Sequence, residues 1–416
     1  MAQSIQPGRF GHIGRPDDAW LAKQEDEQIL EPELPIIDTH HHLWDRNGWT
    51  YLLPELLADL NTGHNIVATV FEECRSMYRA DGPVEMRPVG EVEFVAGIAA
   101  MSASGGYGPI KVAQGIIGYA DLALGDRVEP VLEALIRAGG GRFSGVRYSV
   151  GYNADPTIGN NRPDSTPHMY ARPEVRAGVA RLAAHGLVLD AWCYHPQLTD
   201  VVALARAVPQ ATIVMCPVGG VLGYGVYAGK KDEIHAEWRA SMAELATCPN
   251  VSVKLGGMLN RGAALNFREL PVPPNSAAWA AVWRPYVEPC IELFGAERCS
   301  FESNFPVDKM GTGYATLWNA FKRITGGCSP TEKLALYSVR RSSSTTSTEA
   351  ENCRPSSGAI GCELVRTENR TNQGGHLTGK ASANSNPING PAMLCAKPEQ
   401  RGKLGYLRDP RSDFSE

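Results

Sequence analysis

Eight short apolar runs, most of them followed by a stretch with helical character, predict a (βα)8 barrel over residues 32–337 of this 416-residue chain. Three observations carry that expectation. The runs are brief and rich in Val and Ile, as strands covered on both faces tend to be. They alternate with helix-like segments, the pattern of a parallel sheet with crossovers. No GxGxxG follows the first run, which argues against an open doubly wound sheet.

In chain order, the expected strands are Pro35–Asp38, Ile66–Phe71, Ala113–Tyr119, Ser144–Val150, Leu187–Trp192, Thr212–Met215, Val251–Leu255 and Cys299–Glu302. Helices are expected over Val128–Ala138, Pro173–His185, Lys231–Ala246, Ala277–Phe294 and Thr312–Ile324. Pro173 suits a first helical turn and Gly186 a C-terminal cap. Residues 1–31 are polar and punctuated by Gly and Pro; they read as an N-terminal extension without the apolar middle of a signal peptide. From Ser338 to Glu416 the chain turns rich in Ser, Thr, Asn, Gly and Pro. Such a tail cannot bury enough apolar surface to offset its ordering entropy, so disorder is expected.

With 43% hydrophobic and 20% charged residues, the composition is that of an ordinary soluble enzyme. A formal net charge of −5 gives no reason to expect nucleic acid or an anionic membrane as partner. No apolar run approaches the roughly 18 residues of a membrane span. Ten cysteines lack a CxxC pair, and Cys74, Cys193, Cys216 and Cys299 sit in or beside apolar runs, where a thiol acts as a small hydrophobe. The expectation is a reduced, cytoplasmic protein acting on a small-molecule substrate, with homo-oligomerisation left open.

The first strand runs into Asp38-Thr39-His40-His41-His42-Leu43-Trp44. Alternate side chains of an extended segment share a face, so His40 and His42 should converge while His41 points away. Two neutral imidazoles at a strand end make half of a divalent-metal site. Chemistry in such barrels sits at the C-terminal strand ends. That rule adds Glu72-Glu73, Arg147, Asp190 with His195, Lys254, and Glu302-Ser303-Asn304-Phe305-Pro306-Val307-Asp308.

The Asp38–Trp44 motif, the mid-chain His195 and Phe301-Glu302-Ser303-Asn304-Phe305-Pro306 together resemble the amidohydrolase-related family, TIM-barrel hydrolases akin to sugar lactonases and 2-pyrone-4,6-dicarboxylate lactonase. The resemblance spans about Pro32 to Tyr337. It implies a hydrolase opening a lactone, or a related activated ester or amide, of a small carboxylated molecule. His40, His42 and His195 would then hold a divalent metal, zinc first, or act on substrate directly without metal. Arg147, Lys254 and Trp44 would face the substrate, although a structural ion pair suits Arg147 equally and Lys254 somewhat better.

Two positions depart from that pattern. Pro217 stands where a strand-six histidine is common, and Asn304 where many relatives carry an aspartate, although relatives with the same ESNFP motif share the amide. An amide is no general base, so proton transfer shifts to Asp308, Glu302 or Glu72. A non-catalytic binding barrel and a decarboxylase of the same superfamily are the alternatives. The abrupt change after Tyr337 is expected to reflect a reading-frame change or retained intervening sequence in the gene. An uninterrupted transcript encoding the tail across the Ser338 codon would refute this.

Overall fold

The computed structural model describes residues 13–46, 48–259 and 267–338. Eight parallel strands follow one another around the sheet in chain order. They are β1 Ile36–His41, β2 Ile66–Glu72, β3 Lys111–Gly118, β4 Phe143–Ser149, β5 Val188–Trp192, β6 Thr212–Cys216, β7 Val251–Leu255 and β8 Cys299–Phe301. Helices cover the outside, giving the (βα)8 TIM barrel. The tail expected to be disordered lies outside the described residues, apart from Ser338.

Helix positions follow from where their apolar side chains fall. Lys231–Ala246 buries Ile234, Trp238, Met242 and Leu245, spaced so that they form one stripe. Pro173–Ala184 opens on its proline, and Gly186 follows the helix at φ +66°. That is the left-handed conformation a C-terminal glycine supplies. Inside the same helix, a Cβ on Gly178 would lie 2.5 Å from Leu122 O, so only glycine permits the approach.

Among the described residues, five α-helices lie outside the expected set: the single turn Asp18–Leu21, then Leu53–Leu60, Val89–Ala103, Leu198–Ala207 and Pro330–Tyr337. Val89–Ala103 mixes Gly, Ala and Val with few charges and shows no polar stripe to read. A short hairpin, Trp44–Arg46 paired with Trp49–Tyr51, was also not anticipated. It stacks Trp49 edge-on against Trp44, centroids 4.7 Å apart, directly after β1.

The N-terminal extension is bonded to the barrel domain through a loop and a helix. Trp20 Nε1 donates to Leu270 O at 2.8 Å, and Lys322 Nζ donates to the carbonyls of Leu30 and Glu31 at 2.8 Å each. The last helix, Pro330–Tyr337, is well seated. Ser329 and Glu332 form a capping box, and the Tyr337 ring lies 4.7 Å from that of Phe301.

The seam between β8 and β1 is closed largely by side chains and loop backbone. Asp38, fully buried, accepts from Ser303 N at 2.9 Å, Ser303 Oγ at 2.6 Å and Tyr314 OH at 3.0 Å. Above it, Asn304 N donates to His40 O at 2.9 Å and His42 N to Phe305 O at 2.7 Å. Ser303→Ala removes a short, charge-assisted bond from a buried carboxylate and should destabilise the fold by about 2 kcal/mol, read from the urea midpoint.

Candidate functional site

A cavity of about 250 Å³ opens at the C-terminal ends of the strands. His40, His42, Trp44, Arg147 and Asn304 line it, together with Arg46, Glu73, Arg75, Trp192 and Pro217. Glu302, Asp308, Lys254 and His195 do not line it. The candidate site residues therefore divide into a wall and a buried support.

The two histidines converge as their alternation predicts. His40 Nε2 and His42 Nε2 are 3.1 Å apart, while His41 Nε2 turns to Thr69 Oγ1 at 2.8 Å. Their partners assign the tautomers. His40 Nδ1 lies 2.6 Å from the Glu302 carboxylate and His42 Nδ1 2.8 Å from Glu72 O. The Glu72 carbonyl cannot donate, nor can Glu302 in its carboxylate form, so each Nδ1 then carries the proton and each Nε2 presents a lone pair. Asn304 Nδ2 donates to Asp308 Oδ1 at 2.8 Å, which leaves its Oδ1 3.3 Å from His42 Nε2. Three electron pairs thus meet at one point. Burial lowers both imidazole pKa values well below the ordinary range, and for His40 the charges of Lys254 and Arg147 add to it. Both rings are neutral at pH 7.

Beneath this pair lies a dense set of charges. Lys254 Nζ donates to Asp190 Oδ2 at 2.5 Å and to Glu72 Oε2 at 2.7 Å. Arg147 Nε donates to Glu73 Oε1 at 3.0 Å, and another arm of its guanidinium bonds Glu73 O. Four carboxyl groups (Glu72, Glu73, Asp190, Glu302) thus face two cations (Lys254, Arg147). The deficit of two positive charges can be met by two protons or by a divalent cation. With no cation bound, burial pushes Glu302 up to about 7, while burial and then the charge of Asp190 push Glu72 well above the carboxylate range. Burial also raises Asp308 well above its ordinary value, against the pull of its bond from Asn304.

The donor set fits a metal. The paired Nε2 atoms each have a second partner on Nδ1, the arrangement typical of metal-bound histidine. Glu302 Oε1 is buried with no hydrogen-bond partner among the described residues. Cys216, expected only as a small hydrophobe, has Sγ 3.5 Å from His40 Nδ1 and 3.8 Å from Glu302 Oε2. These three side chains group closely enough to ligate an ion, but they meet on the Nδ1 side of His40, so this is a grouping separate from the Nε2 pair and one that needs Nδ1 without its proton. Its position at the end of β6, one residue before Pro217, is the signal that could have found it. Gly257 makes room here: at φ +58°, a Cβ would lie 2.9 Å from the Pro217 ring and 3.2 Å from Glu302 Oε1.

His195 is placed differently from the sequence expectation. Its Nδ1 accepts from Leu222 N at 3.2 Å, so its proton sits on Nε2, and its ring lies edge-on to Tyr227 at 5.1 Å. The structure does not bring it to the His40–His42 pair. Lys254 is 98% buried in its ion pairs and likewise does not reach the cavity.

The amidohydrolase family model matches residues 37–338. An uncharacterised protein of Sinorhizobium fredii is 31% identical over 328 residues, covering 73% of this chain and 96% of its own length. An L-fucono-1,5-lactonase of Burkholderia multivorans is 26% identical over 231 residues, covering 53% of this chain and 68% of its own. Two crystal structures of an amidohydrolase from B. multivorans share the fold, one with bound HEPES (TM-score 0.56, 23% identity) and one with bound zinc (0.55, 22%). Each covers 73% of this chain and 96% of its own.

Lys254 holds two buried carboxyl groups, so its removal should act on stability first. Lys254→Met is expected to cost about 3 kcal/mol, measured by equilibrium denaturation, because it strands Asp190 and Glu72. A substrate-contacting lysine would instead raise KM with stability unchanged.

Proposed function

The chain belongs to the amidohydrolase family, and on that premise we propose that it hydrolyses a lactone, or a related activated ester or amide, of a small carboxylated molecule. One observation carries the reading: two neutral imidazoles whose Nε2 lone pairs meet at 3.1 Å beside Asn304 Oδ1, at the mouth of a barrel. The lactonase relative supports the choice of a lactone over other hydrolysable bonds.

His40 and His42 would hold a divalent metal, with Asn304 Oδ1 and a reoriented Glu302 as the other oxygen donors within reach. When bound, such an ion polarises a carbonyl and acidifies a water. The chain's own side chains supply the rest. Glu302 keeps His40 in the Nδ1–H form, and the Glu72 carbonyl does the same for His42. Trp44, stacked on His42 at 5.8 Å, forms an apolar wall that keeps bulk water off one side of the pair. Arg147 brings Nη1 to 3.5 Å from His40 Nε2, where it can donate to a developing oxyanion. Asp308 fixes the Asn304 amide, so it acts as a positioning residue. Among the expected proton carriers, Glu302 is the one whose carboxyl group contacts a histidine of the cluster.

Zinc is the first metal to test, given the zinc-bound relative. Elemental analysis of protein purified without chelator should find about one equivalent, absent from His40→Ala/His42→Ala. Lack of metal in the wild type, together with no cleavage of a lactone panel, would instead favour a binding barrel. Glu302→Gln keeps an acceptor for His40 but removes the charge. It should weaken metal retention by about 10–100-fold, measured by competition with a chromogenic chelator.

A further inference from the structure

Two arginines clasp the backbone of one short wall segment, Glu73-Cys74-Arg75, and a third belongs to it. Arg147 is bound to Glu73 through both side chain and carbonyl. Arg46 Nη1 donates to Cys74 O at 3.0 Å, its guanidinium 4.3 Å from the centroid of a Trp44 ring. Arg75 follows at φ +61°, a conformation a non-glycine residue adopts at a cost. All three arginines line the cavity, and Glu73 is the one carboxylate among the described residues that does so. Glu73 neutralises Arg147. Asp164, whose charge also interacts with Arg75, is paired with Arg162 at 2.5 Å. Arg46 and Arg75 therefore face the cavity with no carboxylate ion-paired to either among the described residues.

From this imbalance we infer that Arg46 and Arg75 form an anion subsite that holds the substrate's carboxylate away from the bond being cleaved, and that Arg147 is not its holder. Arg46 is suited to the task, because its bond to Cys74 O and its contact with Trp44 fix the guanidinium plane. A planar fork held in place matches a carboxylate with little further ordering. Arg147 lacks that freedom, since Glu73 occupies its Nε edge. The inference rests on the lactonase reading and narrows it to lactones or esters that carry a carboxylate distal to the scissile carbonyl.

The test is calorimetric titration of glutarate and of its neutral diamide into the full chain, wild type and Arg46→Gln/Arg75→Gln. Glutarate should bind the wild type about tenfold tighter than the diamide, and the double variant should lose about tenfold in glutarate affinity with its thermal midpoint kept. Arg46→Lys/Arg75→Lys should recover part of that preference. Equal binding of the two ligands, no binding of glutarate at millimolar concentration, or a preference surviving in the Gln variant would overturn the subsite. Hydrolysis of 5-oxotetrahydrofuran-2-carboxylate and its methyl ester, run alongside, separates the two readings. Glutarate binding without cleavage of either lactone sinks the hydrolase and leaves the subsite standing. Cleavage of both lactones with equal KM, without glutarate binding, does the reverse.

Discussion

The open end of the barrel depends on how β8 is fastened to β1. β8 is three residues long, and backbone pairing with β1 is confined to the segment that follows it. Asp38 supplies what the ladder does not, gathering Ser303 N, Ser303 Oγ and Tyr314 OH onto one buried carboxylate. Burial pushes its pKa up to about 6 while these donors pull it down, so the group stays mostly ionised at neutral pH, where such bonds are strongest. With Ser303 fixed, Asn304 N reaches His40 O and Phe305 O receives His42 N. The same few atoms therefore close the barrel and set the spacing of His40, His42 and Asn304.

Electrostatics then determine what that spacing can do. A histidine pair in a buried pocket could carry protons on either nitrogen. Glu302 and the Glu72 carbonyl remove the choice by accepting from Nδ1, and both lone pairs turn inward. In the buried set beneath the pair, the acids outnumber Lys254 and Arg147 by two. A site assembled this way is short of positive charge, and it has donor atoms already aimed at the place where that charge would sit.

Backbone strain gathers around the same cavity. Arg75 at φ +61°, Asn304 at +55° and the β-branched Val218 at +32° all line it. Each such residue costs on the order of 1–3 kcal/mol and persists only where its surroundings hold it. For Asn304 the hold is the His40 carbonyl and Asp308. For Val218 it is a bond from its N–H to Lys254 O and one from Trp238 Nε1 to its carbonyl at 2.7 Å. The wall is rigid where it must present side chains at defined positions.

By itself, the sequence determined the barrel and the histidine pair, because both follow from local periodicity. Val251–Leu255 and Lys231–Ala246 are observed with the bounds their patterning predicts. The alternation through His40, His41 and His42 needs only the extended backbone. Asn304's inability to act as a base was likewise legible in its side chain. Tertiary structure alone decided which polar strand ends reach the cavity. Lys254 and Arg147 look alike in sequence as cations at strand ends. Only packing shows Lys254 enclosed by Asp190 and Glu72, residues 64 and 182 positions away, while Arg147 keeps one arm in the cavity. Cys216 beside Glu302 and Arg46 on the Cys74 carbonyl are equally invisible to local pattern. Such contacts join segments distant along the chain, and their geometry exists only once the eight strands have closed.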